Sequence, residues 1–210
     1  MLPQPDLNHD LKNKIWAALE ALKLFMKKSS ISNLSLLLRA QTALEQSLDL
    51  LEGNKTDTTD NLDKMVSTSL VDLFPVAHGR GIKLDIRSTK TALQVQMDKF
   101  SFLRIIHNLV LNAVEAADSE VIVQSGYWTD DYGQTFFPSV SVRNDGKGIH
   151  AENLPLIFHR GISSKGSKRG YGLHIVRNLL QNNGKLILFT SDNETTFFVV
   201  FNHNQENEYA

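Results

Sequence analysis

The sequence predicts an α+β protein: a helical hairpin first, then a domain in which helices and strands alternate. Three observations lead there. Leucines recur at heptad spacing before residue 52, and after residue 61 the apolar pattern mixes helical spacing with strand-like alternation. Between them, EGNKTDTTDN is polar and lacks apolar periodicity, as a linker does. The 210 residues then divide into a hairpin over 1–52, a linker over 53–60 and a second domain over 61–210.

The elements follow in order. In the first helix Leu7, Leu11, Ile15, Ala18, Leu22 and Phe25 recur at spacings of three and four. In the second, Leu34, Leu37, Gln41, Leu44, Leu48 and Leu51 form a heptad with one polar interruption. KKSSISN joins them, with Ser32 or Asn33 placed to cap the second helix. Helices with so short a connection pair antiparallel, and a lone pair leaves much of its apolar seam bare. A second copy would cover that seam in a four-helix bundle, so a homodimer is expected; the alternative is a hairpin packed on its own chain.

After the linker, Leu62 to Val76 reads as a helix, and Lys83 to Ile86 and Ala92 to Gln96 as strands. Lys99 to Ala117 is a long helix. Glu120 to Tyr127 and Ser139 to Asn144 are strands joined by WTDDYGQTF. Gly172 to Asn183 is a helix, and Lys185 to Ser191 and Thr195 to Asn202 are the last strands; HNQENEYA at the end is expected to fray.

Composition removes several function classes. Lys plus Arg is 22 and Asp plus Glu 23, a net charge of -1, so no global basic field exists to bind nucleic acid. The absence of cysteine removes a disulfide scaffold, a thiolate metal site and a cysteine nucleophile together. No run approaches the roughly 18 apolar residues that span a bilayer, and MLPQPDLNHD has no signal-peptide pattern, so a soluble chain is expected.

Three stretches carry candidate chemistry. In VRNDGKGIH, Asp145, Gly146 and Gly148 follow an apolar strand. They suit a turn first, and also a purine pocket in which a carboxylate accepts from an exocyclic amino group while glycines admit a flat ring. In FHRGISSKGSKRGYGLHIVRNLLQNNG, glycines 161, 166, 170 and 172 are interleaved with Lys165, Lys168 and Arg169 and run into a helix. Flexible backbone, basic side chains and a helix N-terminus suit phosphate. Neither a Walker P-loop nor a Rossmann fingerprint is present. In FLRIIHNLVLNAVEAADS, Asn108 and Asn112 lie four apart and share a helix face. They suit surface or capping roles, and also a hard cation such as Mg2+ held mainly by water and phosphate oxygens.

In this order the stretches resemble the GHKL ATP-binding domain of sensor histidine kinases. HNLVLNAVEAA looks like the N box, NDGKGI like the first glycine box, LPLIFHRGISSK like the F box and GSKRGYGLHIV like the second glycine box. The hairpin's His9-Asp10-Leu11-Lys12-Asn13 looks like the phosphoacceptor box of the same kinases. At about 100° per residue, His9 and Asn13 fall roughly 160° from the apolar stripe centred near Leu11 and Ala18, on the outward face a phosphoacceptor needs.

The resemblance implies an α/β sandwich of the GHKL type behind the hairpin, with ATP and Mg2+ as ligands. It implies that Asp145 accepts the adenine amino group and that Gly146 and Gly148 make room for the ring. It implies that Asn112 with Asn108 holds Mg2+, that Ile149 to Gly170 is the ATP lid, and that Lys165, Lys168 or Arg169 contacts phosphate. Gly170 and Gly172 would admit phosphates near a helix starting about Leu173. His9 would accept the phosphoryl group at Nε2 while Asp10 holds the other ring proton, and Asn13 would orient a water for dephosphorylating the regulator. The acceptor would be an aspartate on a response-regulator receiver domain. Input would come from a separate sensor protein or a missing N-terminal sensor segment, and the place would be the cytoplasm, alone or as the cytoplasmic part of a membrane-associated sensor.

Two other functions use similar residues. A histidine phosphotransferase relays phosphate without ATP, but its glycine boxes are usually eroded, whereas NDGKGI and RGYGL are intact. A hydrolytic GHKL ATPase needs a glutamate base at the first N-box position, where this chain has Asn108.

Overall fold

A computed structural model describes residues 11–12, 15–20, 22, 37, 40–41, 44, 47, 58–89, 93–130, 132–159 and 172–202. The chain divides into two units, Met1–Asp57 and Thr58–Ala210. Every described residue of the first unit has helical backbone, at the positions where the heptads predict it.

In the second unit the elements run β1 (Thr58–Asn61), α1 (Leu62–Leu70), a 3-10 turn over Val71–Leu73, α2 (Phe74–His78), β2 (Lys83–Ser88) and β3 (Gln94–Met97). They continue with α3 (Lys99–Ala116), β4 (Glu120–Thr129), β5 (Phe136–Asn144), a 3-10 turn over Ala151–Asn153, α4 (Gly172–Leu180), β6 (Gly184–Ser191) and β7 (Glu194–Phe201). Residues 58–60, expected in the linker, instead belong to β1, which pairs antiparallel with β3. Two β-branched threonines favour the extended chain there, and a strand partner supplies the hydrogen bonds a polar linker would take from water.

The expected helix over Leu62 to Val76 is interrupted. Pro75 has no N–H to offer the Val71 carbonyl, so the chain tightens into the 3-10 turn before α2 resumes. Helix starts are capped as residue type predicts. Asn61 Oδ1 accepts from the Lys64 N–H at 3.0 Å, and the Asp98 carboxylate accepts from Phe100 and Ser101 at 3.3 and 2.8 Å. Asp63 in the first turn of α1 accepts from the hydroxyls of Ser88 and Ser125, which ties that helix to β2 and β4.

The main sheet has the order β2-β4-β5-β7-β6, with β2 parallel to β4 and every other pair antiparallel. Alternation separates its faces. Val140, Val142, Val199 and Phe201 are buried on one face, where Phe201 stacks on Phe102 of α3 at 5.6 Å. That is the helix-covered side: α3 packs on β4 and β5 and against α1 and α4. On the other face Trp128, Phe189 and Phe198 pack on one another. The result is an α/β sandwich in the second unit, as the sequence predicts.

The sense of α3 places the site. Phe102, near its start, meets the end of β7, so its last turns lie over the opposite end of the sheet. There β5 ends at Asn144, β7 begins at Glu194 and β6 ends at Ser191.

Candidate functional site

The polar residues singled out in the sequence gather at this end of the sheet. On α3, Asn108 is 7% exposed, and its Nδ2 donates to the Arg104 carbonyl at 2.7 Å. The amide is thereby fixed with Oδ1 left as an acceptor. Asn112, one turn later, shares the face. Both amides converge on Gly172, the first residue of α4. A Cβ built there would stand 3.0 Å from Asn108 Oδ1 and 3.5 Å from Asn112 Nδ2. Glycine is what allows the start of α4 to come this close to the amide pair. Leu173 follows it in α4, partly buried.

The turn after β5 is anchored by Asp145. Its Oδ1 accepts from the backbone N–H of Asp118, Ser119 and Glu120 at 3.1, 3.0 and 3.0 Å, and Oδ2 accepts from the Ser119 hydroxyl. Burial pushes this carboxyl up. The Glu120 N–H, the Ser119 hydroxyl and the N–H groups of Ser119 and Asp118 outweigh that, and hold it well below the ordinary carboxylate range. The Asp145 carboxylate thus binds the loop between α3 and β4.

The two glycines of the turn also lie close against the protein's own backbone. A Cβ on Gly146 would lie 1.7 Å from the Ala116 carbonyl oxygen, and one on Gly148 1.6 Å from that of Ser191. The close approach they permit is of the protein's own backbone, α3 on one side and the β6–β7 turn on the other. Gly148 N–H donates to the Asp192 carbonyl at 3.2 Å, and Ile149 N–H to Thr190 Oγ1 at 2.9 Å, which closes the turn against that hairpin.

The residue that sequence reasoning passed over is Asn144. It is 3% exposed, and among the described residues its Nδ2 is the buried side-chain donor with no hydrogen-bond partner. Leaving such a donor unmet costs about 1–3 kcal/mol, which marks it as a group waiting for a ligand or water. A signal was present: in VSVRN, strand alternation puts Asn144 on the same buried face as Val140 and Val142. Thr195, its neighbour across β7, is also buried.

Fit to a nucleotide and Mg2+ follows from these observations. An orphaned buried amide and the start of α4 at Gly172 are features a base and phosphates would complete, and a fixed amide oxygen beside it suits a hydrated hard cation. His9, Asp10 and Asn13, and Lys165, Lys168, Arg169 and Gly170 of the expected lid, lie outside the described residues.

Comparison with known proteins agrees with this geometry. The family model described as histidine kinase-, DNA gyrase B- and HSP90-like ATPase matches residues 97–205, from the end of β3 through β7. The chain belongs to this ATPase family. Among curated relatives of the ATPase chain, the sensor protein CitS of Bacillus subtilis is 28% identical over 179 residues, 84% of this chain and 31% of CitS. The sensor histidine kinase ZraS of Klebsiella oxytoca is 30% identical over 127 residues, 60% of this chain and 27% of ZraS. The chain thus spans under a third of the length of these relatives. Among solved structures, the catalytic domain of histidine kinase ThkA matches with a TM-score of 0.59 at 24% identity, over 69% of this chain and 93% of that one. Mycobacterial sensor histidine kinase MprB matches with a TM-score of 0.57 at 21% identity, over 70% and 97%. These two likenesses establish the shared ATPase fold.

Proposed function

We propose that the chain is the catalytic core of a two-component sensor histidine kinase, autophosphorylating on His9 from ATP and passing the phosphoryl group to a response-regulator aspartate. The observation that carries this reading is the convergence of Asn108 and Asn112 on Gly172 beside the Asn144–Gly148 turn, within a family whose matched relatives are named as sensor kinases.

Bound ATP supplies the phosphoryl group. Asn108 and Asn112 would hold Mg2+ from α3, Gly172 would let phosphate oxygens reach the N–H groups at the start of α4, and Lys165 or its basic neighbours Lys168 and Arg169 would contact them. His9 accepts the phosphoryl group at Nε2, with Asp10 holding the proton on Nδ1 and steadying the imidazolium. Asn108 stands where a hydrolytic relative needs an acidic base, so transfer to histidine is favoured over loss to water. The partners of this reading are a second copy, joined through the heptads of the first unit, and a receiver domain. Leu11 and Trp16, 44% and 46% exposed, are apolar surface that a second copy would cover.

The test is incubation of the full chain with γ-radiolabelled ATP and Mg2+. Label is expected on the wild type, absent from His9→Gln, abolished by chelating divalent cations, and transferred to a receiver domain. A chain that takes no label from ATP yet accepts phosphate from a phosphorylated receiver would be a relay protein.

A further inference from the structure

We infer that Asn144 reads the 6-position of a purine through its amide N–H, so that the nucleotide site takes a 6-oxopurine triphosphate at least as well as ATP. The inference rests on the nucleotide-binding reading and deepens it to base selection.

The argument starts from the orphaned donor. Asn144 closes β5, paired with Val121 on β4 and Thr195 on β7, and its parity puts it on the helix-covered face. It sits at the end of the sheet where Gly146 lies against Ala116 at the end of α3. Two neighbouring acceptors, Asp145 and Thr195, are engaged elsewhere. Asp145, next in the chain, gives its carboxylate to residues 118–120. Thr195 Oγ1 shares a hydrogen bond with Thr190 Oγ1 at 3.1 Å, and Thr190 Oγ1 also accepts from Ile149 N–H and donates to the Glu194 carbonyl at 3.3 Å. Among the described residues, the Asn144 amide is thus a buried donor that no hydrogen-bond acceptor meets.

What would meet it is a neutral acceptor. Phosphates would go to the helix start at Gly172, which leaves the base for the sheet end. Adenine presents an amino donor at its 6-position, opposed to an N–H. A 6-oxopurine, inosine or guanosine, presents a carbonyl oxygen there, which pairs with it. An amide can also turn and offer its oxygen to adenine, so ATP is retained. A carboxylate at the same position has acceptors alone and would select the amino group.

The experiment measures binding of ATP and inosine triphosphate to the full chain by competition against a fluorescent nucleotide. The wild type should bind inosine triphosphate within about threefold of ATP or more tightly, and any stronger preference for ATP overturns the inference. Asn144→Asp, checked for folding by circular dichroism, should shift the ratio about tenfold toward ATP, the loss expected for one mispaired hydrogen bond. An unchanged ratio in a folded variant also overturns it. Should that variant not fold, the wild-type ratio and the shift of the Asn144 side-chain amide resonances on adding inosine triphosphate decide: resonances that stay put count against it. A wild-type chain that binds neither nucleotide overturns the underlying reading as well, whereas ATP binding with strong discrimination overturns this inference alone.

Discussion

Asp145 and His107 tie stability to pH in the same direction, over different pH ranges. Asp145 is held ionised by three backbone N–H groups and a hydroxyl. Its folded value is depressed, so its contribution is full above the ordinary aspartate value of about 3.9 and is lost as the pH falls below it. Asp145→Ala should cost about 1–2 kcal/mol at neutral pH, the lower part of the range for charged hydrogen bonds because the loop is open to water. It should also flatten the acid limb of a urea-denaturation series between pH 5 and 3. His107 is buried in α3 with Nε2 2.7 Å from the Ser69 carbonyl. Burial pushes it below its ordinary value, against the opposing pull of the Ser69 carbonyl and Asp72. The unfolded chain binds the proton more readily, so stability falls as the pH drops through about 6.5. Replacing His107 with Gln should reduce that slope, read from the same denaturation series.

At the scale of elements, glycines set how closely helix, turn and hairpin approach. Gly148→Ala would drive a methyl into the Ser191 carbonyl, and since both partners are backbone neither can move aside. The expected outcome is a lower melting temperature together with loss of nucleotide binding, measured by calorimetry and titration. Gly172→Ala meets the side-chain amide of Asn108 at 3.0 Å, which can yield slightly. It should leave melting nearly unchanged while weakening Mg2+-dependent nucleotide binding several-fold, the opposite pattern. Packing of α3 on the sheet is a third case. Phe102→Ala removes a buried ring stacked on Phe201 and should cost about 3–5 kcal/mol by chemical denaturation.

At the scale of the whole molecule, the proposed reading has two chains associate through the heptads of the first unit before phosphotransfer. Leu44→Glu places a charge in that seam and should reduce the mass seen by light scattering from two 23.6 kDa chains to one, with loss of His9 labelling. The nucleotide unit, Thr58–Ala210, should still bind nucleotide in this variant, because its core and site are formed within that unit. Binding that is lost along with dimerisation would contradict this separation.

Local chemistry was enough to place most elements of the second unit. β1 and the interruption at Val71–Leu73 were not read from the sequence, whereas the valine alternation of β5 and the helical spacing of α3 act over a few residues, so period and residue type reveal them. The same holds for the family: four short motifs in order pointed to a GHKL domain, and the match over 97–205 agrees. Asn108, Asn112 and Gly172 were legible as candidates for this reason. What Asp145, Gly146, Gly148 and Asn144 do was not. Whether a carboxylate is free or already holds a loop depends on residues 25–27 positions away. Whether a glycine makes room for a ring or for a carbonyl depends on Ala116 and Ser191. The open donor of Asn144 appears when β4, β5, β7 and α3 are assembled, with neighbouring Asp145 and Thr195 engaged elsewhere. Hydrogen-bond satisfaction is a property of the assembled neighbourhood, which strand and helix periodicity do not encode.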